Sequence, residues 1–100
     1  MVRWMCSMRV KTGKSMKAMG YAKEMVEFAK KFKGAPAVHV YGDSFGDIPT
    51  IRWFVDYPDL ATLETVGNQV LADEAYHKKV EQNADLFVEG STQVVVMSEI

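Results

Sequence analysis

One hundred residues with 48% apolar and 25% charged side chains make one ordinary globular domain, too short for two and with little surplus core. Twelve basic residues against thirteen acidic ones leave a net charge of −1. No long-range field therefore steers the chain toward nucleic acid or an anionic membrane. The one cysteine, Cys6, excludes an internal disulfide.

Strand one is expected at Val2–Lys11. Val2, Trp4, Cys6, Met8 and Val10 alternate there with Arg3, Met5, Ser7, Arg9 and Lys11, and period two is the strand signature. Within it Cys6 reads as an inert, buried thiol. Thr12-Gly13-Lys14-Ser15 breaks the pattern, with Thr12 or Ser15 as candidate helix caps.

Helix one is expected from about Lys14 to Lys33. On a helical wheel Ala18, Tyr21, Ala22, Met25, Phe28, Ala29 and Phe32 fall within an arc of roughly 120°, the width of a core-facing stripe. Glu27 and Lys31 stand four apart in the favourable orientation. Met19 and Val26 lie outside the stripe and imply a second contact. Lys30, Lys31 and Lys33 suit the C-terminal dipole, Gly34 suits a left-handed C′ position, and Pro36 cannot continue a helix.

Ala35–Tyr41 and Thr50–Tyr57 read as strands two and three, joined by a long hairpin loop over Gly42–Pro49. Pro58 then stops the chain and Asp59 is a good N-cap. Leu60, Leu63, Val66, Val70 and Leu71 follow at helical spacing, with a break at Ala72-Asp73, where Asp73 can cap a second short helix carrying Tyr76, Val80 and Ala84. Leu86–Ser91 reads as a turn, and Thr92–Ser98 as strand four.

The order β-α-β-β-α-β predicts an α+β fold, a ferredoxin-like two-layer sandwich with an antiparallel sheet, as one domain over residues 1–100. The strongly apolar strand faces (Trp4, Cys6, Met8; Val38, Val40; Ile51, Trp53, Val55; Val94, Val96) are expected under the helices. The opposite faces carry Arg3, Met5, Ser7, Arg9; Ala37, His39, Tyr41; Arg52, Phe54, Asp56; and Gln93, Val95, Met97. About half of that second set is apolar, more than an antiparallel face meant for water usually shows. A second copy packed face to face would cover it, burying about 2,000 Å² or more and enclosing a semi-polar cavity.

The element order, and the segment Leu71-Ala72-Asp73-Glu74-Ala75-Tyr76 leading to Leu86-Phe87-Val88-Glu89-Gly90-Ser91, are similar to the dimeric α+β-barrel superfamily. Within it the chain most resembles the NIPSNAP-like and antibiotic-biosynthesis-monooxygenase-like groups. That resemblance implies a homodimer with a cleft between sheet and helices or inside the barrel. Members include cofactor-independent monooxygenases, haem-degrading enzymes and small isomerases, so the resemblance bears on fold more than on chemistry.

The candidate ligand-binding residues are Arg9, His39, Tyr41, Arg52, Phe54 and Asp56. With the whole of Gly42–Pro49 as loop, His39 and Arg52 become direct cross-strand neighbours. Together with Tyr41 and Asp56 they would bind an anionic or phenolic ligand, with His39 as candidate general base. The competing reading makes these groups interface hydrogen bonds and ion pairs, and Arg9 a rim salt bridge. Arg52 and Asp56 stand about 13 Å apart along one strand, so each needs a partner elsewhere.

His77 reads as part of a solvated helix face. With Cys6 and His39 on opposite sides of the sheet, no metal site is expected. The methionines read as gap-fillers, and no haem role transfers to His77 and Asn83. An RNA-recognition motif is excluded because Ile51–Tyr57 lacks its glycine and its Trp53 and Phe54 face opposite ways. The absence of a Cys-x-x-Cys loop excludes a soft-metal chaperone, and Met8 stands where a P-loop needs its first glycine.

The sequence thus predicts a homodimeric small-ligand-binding or structural module with no cofactor. The alternative is a cofactor-independent monooxygenase or small isomerase acting on an aromatic or polyketide-like substrate. With no secretory signal in Met1–Val10 and no long apolar stretch, a cytoplasmic, non-membrane setting is expected.

Overall fold

A computed structural model describes residues 1–43 and 49–100. Eight elements follow in order: β1 (Val2–Arg9), α1 (Ser15–Ala29), β2 (Val38–Gly42), β3 (Thr50–Tyr57), α2 (Leu60–Leu71), α3 (Glu74–Gln82), a short 3₁₀ turn (Ala84–Leu86) and β4 (Gln93–Ser98). The strands form one antiparallel sheet in the order β2-β3-β1-β4. This is the ferredoxin-like α+β architecture that the element order predicts. No helix among the described residues is long and apolar enough to cross a membrane.

Burial alternates most cleanly along β3, whereas β1, equally central in the sheet, is mostly half-buried. In β3, Ile51, Trp53, Val55 and Tyr57 are buried, and Thr50, Arg52, Phe54 and Asp56 between them are half-exposed. The buried set packs under the helices in two adjoining clusters. Val10, Ala18, Tyr21, Ala22, Ile51, Trp53, Leu86 and Phe87 form one, and Val55, Tyr57 and Val66 the other, with Trp4 and Val38 touching both. Trp53 lies edge-on to Tyr21 and Phe87, with ring centroids 6.3 and 6.1 Å away. Its buried indole N–H finds no acceptor among the described residues. Burial pushes the Tyr21 hydroxyl up to about 12.

Local sequence explains the helix ends, with some departures from expectation. Neither Thr12 nor Ser15 caps α1; its N-cap is Lys14, which makes no side-chain cap bond, because Gly13 at φ +82° turns the chain into the helix through Lys14 N–H to Lys11 C=O. At the other end regular helix stops at Ala29. Tighter bonds such as Phe32 N–H to Ala29 C=O carry the chain on to Gly34, at φ +79°. Glu27 pairs with Lys30, not Lys31. Lys31 instead reaches Asp73, 2.6 Å away, and lies 4.4 Å above the Phe28 ring.

Asp59 and Asp73 cap α2 and α3 as their positions imply, accepting the Thr62 and Tyr76 N–H groups at 2.7 and 2.8 Å. His77 is exposed, as expected of a helix surface, and its Nε2 lies 2.8 Å from the Leu71 carbonyl oxygen.

Three further expectations are corrected. Strand β1 ends at Arg9 and β2 begins only at Val38. Leu86 and Phe87 belong to the core rather than to a turn, since the Lys11 N–H donates to the Leu86 carbonyl and Val10 bridges to Phe87. Val94 and Val96, expected under the helices, are 55% and 48% exposed. The main helix–strand packing is α1 on β2 and α2 on β3, on the side of the sheet away from β4.

Candidate functional site

The face of the sheet opposite the helices carries every candidate residue, and strand register sorts them into rows. At one end Arg3 (β1) lies between Asp56 (β3) and Met97 (β4). Next comes a mainly apolar row of Met5, Phe54 and Val95, extended on β2 by His39, which pairs with Phe54. A polar row follows, with Ser7 between Arg52 and Gln93 and with Tyr41 beside Arg52. Arg9 and Thr50 form the last row. Successive rows are two residues apart along the strand, about 6.6 Å.

The register corrects the expected neighbour of the histidine. His39 faces Phe54, and Arg52 faces Tyr41. The reason lies in the hairpin: Gly42 still pairs with Ile51, and the Asp43 N–H still donates to the Thr50 carbonyl at 3.2 Å. The ladder therefore extends beyond Tyr41, and every partner shifts by two. The middle of the expected loop, residues 44–48, lies outside the described residues.

Phe54 is the hub of the middle row. The His39 imidazole stacks on it at 5.1 Å with an interplanar angle of 27°. Tyr41 meets it edge-on at 5.4 Å. The Arg3 guanidinium lies 4.4 Å over its ring, a cation–π contact. The same guanidinium grips Asp56 with two bonds, Nε to Oδ1 at 2.8 Å and Nη2 to Oδ2 at 3.0 Å. That grip holds the Asp56 carboxyl below the usual aspartate range and raises Arg3. Arg3 is thus the partner Asp56 needs. It sits on the expected face, but only the β1–β3 register, which no local pattern specifies, places it opposite Asp56.

Arg52 finds its partner on its own hairpin, bonding the Asp43 carboxylate through Nη1. Arg9 departs from the expected rim salt bridge. Its backbone N–H donates to Ser91 Oγ at 3.1 Å, and its exposed guanidinium has no ion-pair or hydrogen-bond partner among the described residues. Arg9 and Arg52 both line an open recess of about 370 Å³ with Ser7, Glu89, Ser91 and Gln93. His39 makes no hydrogen bond among the described residues, so no acid–base pair is assembled around it there. No three His, Cys, Asp or Glu side chains among the described residues come together as metal ligands would.

On the helix side, burial pushes up the thiol of half-buried Cys6 and the hydroxyl of Tyr76. A second recess lies between the first half of α1 and the end of α3, lined by Lys17, Tyr21, Glu24, Asn83 and Asp85 among others. The Lys79 ammonium bonds Glu24 there.

No protein-family model and no curated protein sequence matches the chain. Solved structures do. A NIPSNAP domain protein from Burkholderia xenovorans superposes with a TM-score of 0.80 at 15% identity, over 100% of this chain and 95% of that one. A NIPSNAP family protein of unknown function from Agrobacterium tumefaciens gives 0.78 at 17% identity, over 97% and 86%. An antibiotic biosynthesis monooxygenase gives 0.74 at 20% identity, over 100% and 99%. The chain has the ferredoxin-like fold shared by NIPSNAP domains and antibiotic-biosynthesis-monooxygenase-like structures, the resemblance its sequence pattern carries.

Proposed function

We propose that the protein is a homodimer, closed by two copies of the open sheet face, and that it holds a small ligand between them in a cytoplasmic setting. The observation that carries this reading is the row Met5, Phe54 and Val95 across the middle of a face that no helix covers. Val95 is 47% exposed and Tyr41 64%. An apolar band with ionic groups at both ends is the composition of an interface with a polar rim. A chain this short also gains from a partner, because it buries a smaller share of its own surface than a larger domain does.

With the two faces opposed, the middle rows of both copies border the enclosed space in which the ligand lies, and the Arg9–Arg52 recess stands at its mouth. The support for ligand binding is the polar recess at that end, together with the half-polar lining made by His39, Tyr41 and Arg52. Sedimentation equilibrium at micromolar concentration tests the dimer. The expected mass is twice that of one chain, and a chain that stays monomeric there overturns the reading.

A second reading, a cofactor-independent monooxygenase or small isomerase, draws on the likeness to the antibiotic biosynthesis monooxygenase. Its base would be His39, which lies on the open face with a free imidazole edge and a ring stacked on Phe54. Such a site needs an aromatic or polyketide-like substrate within hydrogen-bond reach of that imidazole. Oxygen uptake with a panel of phenolic substrates separates the two readings. Consumption that His39→Gln abolishes favours the monooxygenase, and no uptake by the wild-type protein, with the substrates also recovered unrearranged, favours the binding module.

A further inference from the structure

The two ends of the open face hold their arginines differently. Arg3 is matched to Asp56 through two hydrogen bonds and needs no further anion. At the other end Arg52 bonds Asp43 through one nitrogen, and Arg9 has no acidic partner among the described residues. Both line the recess of about 370 Å³ into which Ser7, Ser91 and Gln93 bring polar groups. That volume lies in the small-molecule range.

We propose that this recess binds the carboxylate of a monoanionic small molecule, whose apolar body lies along the Met5–Phe54–Val95 row. A guanidinium presents parallel N–H groups that match a planar carboxylate. Local charge selects a single negative charge. Asp43 already sits on Arg52 and Glu89 lines the recess, so these two carboxylates offset the two guanidinium groups; a monoanion leaves one net negative charge, whereas a phosphate dianion leaves two and faces both carboxylates at close range. Row spacing bounds the body: about 6.6 Å separates the Ser7–Arg52 row from the Met5–Phe54 row and about 13 Å separates the Arg9 row from it, so a ring joined directly to the carboxylate reaches the apolar band when the long Arg9 side chain meets that carboxylate above Ser7. The inference rests on the ligand-binding reading above for the apolar body, whereas one chain alone supplies the anion site.

The test is a ¹H–¹⁵N NMR titration of the full chain with 1-naphthoate, its neutral counterpart 1-naphthamide, and inorganic phosphate, with sedimentation of the same samples. Naphthoate is expected to move the amide signals of Ser7, Ser91 and Gln93 and the Arg9 side-chain signal. Loss of one charge-assisted hydrogen bond weakens binding about tenfold, and that loss is expected for naphthamide on the wild-type protein and for naphthoate on Arg9→Gln. Arg9→Lys restores part of the affinity, which rules out general damage to the fold as the cause. Equal binding of the amide, an unchanged affinity in Arg9→Gln, shifts confined to the helix side, or phosphate binding more tightly than naphthoate each overturns the proposal. A monomeric protein that still shows Arg9-dependent naphthoate binding overturns the dimer alone and supports the carboxylate site. A dimer that binds without dependence on Arg9 overturns the carboxylate site alone.

Discussion

Trp53 and Phe54 are chain neighbours on one central strand, yet they belong to different environments. Trp53 lies among Tyr21, Phe87 and the underside of α1, and it is buried within its own chain. Phe54 points the other way, and its contacts, Arg3, His39 and Tyr41, all come from the sheet itself. Alternation along β3 gives one face of the sheet to the helices and the fold, and turns the other, the face on which association is proposed, away from them. Substitutions at the two residues should therefore separate stability from assembly.

The largest effect is expected at Trp53. Trp53→Ala should cost about 3–5 kcal/mol by leaving a cavity between two aromatic neighbours, measured as urea-induced unfolding of the purified chain. Trp53→Phe should cost less than about 1.5 kcal/mol, because it also removes a buried N–H that has no acceptor among the described residues. A Phe variant as damaged as the Ala variant would mean that the indole N–H has a partner the contacts above do not include.

Phe54→Asp should do the reverse. If two copies meet on this face, a charge at the centre weakens their association by about 2 kcal/mol or more, a Kd roughly thirtyfold higher, while circular dichroism stays that of a folded chain. Sedimentation velocity over a dilution series reads the shift. An unchanged dissociation midpoint would remove Phe54 from the interface.

How much of this was legible follows from how local each signal is. Asp59 and Asp73 could be read as caps because a cap needs only its own turn, and the structure places both as read. The two faces of the sheet were legible because side-chain alternation is a property of single strands. Register was not. The His39 partner shifted from Arg52 to Phe54 because Gly42 and Asp43, which look like loop residues, continue the ladder. Leu86 and Phe87 were read as a turn from nearby Gly90 and Ser91, yet they cross the end of β1, which is a tertiary fact. Exposure of Val94 and Val96 follows from where α1 and α2 lie across the sheet, which no strand pattern encodes. Within the candidate site, residue types and the shared face were legible, and the Arg3–Asp56 and Arg52–Asp43 pairs were not, since each depends on register.

A smaller effect is expected where the helices are tied together. Asp73 caps Tyr76 and also bonds Lys31, two residues past the end of α1, so its carboxyl is held below the usual range, first by Lys31 and then by the Tyr76 N–H. Asp59 caps Thr62, and that contact is the main cause of its own lowering. Asp73→Ala should therefore lower the melting temperature more than Asp59→Ala, since it removes a cap and an ion pair between helices together. Equal losses would show that the Lys31 bridge contributes nothing measurable, as exposed pairs often do.

The smallest effect is expected at the Arg3–Asp56 pair, and its sign is fixed by linkage. The folded chain holds the Asp56 carboxyl below the ordinary aspartate value of about 3.9. Such a group contributes its full stabilisation above that value and loses it as pH falls through the lower, folded value. Solvent screening keeps the contribution modest, because both side chains are partly exposed. Arg3→Met should therefore leave the urea midpoint nearly unchanged relative to pH-independent losses and flatten its decline between about pH 5 and pH 3. Asp59 and Asp73 are lowered as well, so part of the acid slope should remain in the variant. A variant whose acid slope matches the wild-type chain would show that the paired end of the open face is no more resistant to acid than an unpaired carboxylate, and the contrast with the unpaired guanidinium of Arg9 would then lose its electrostatic basis.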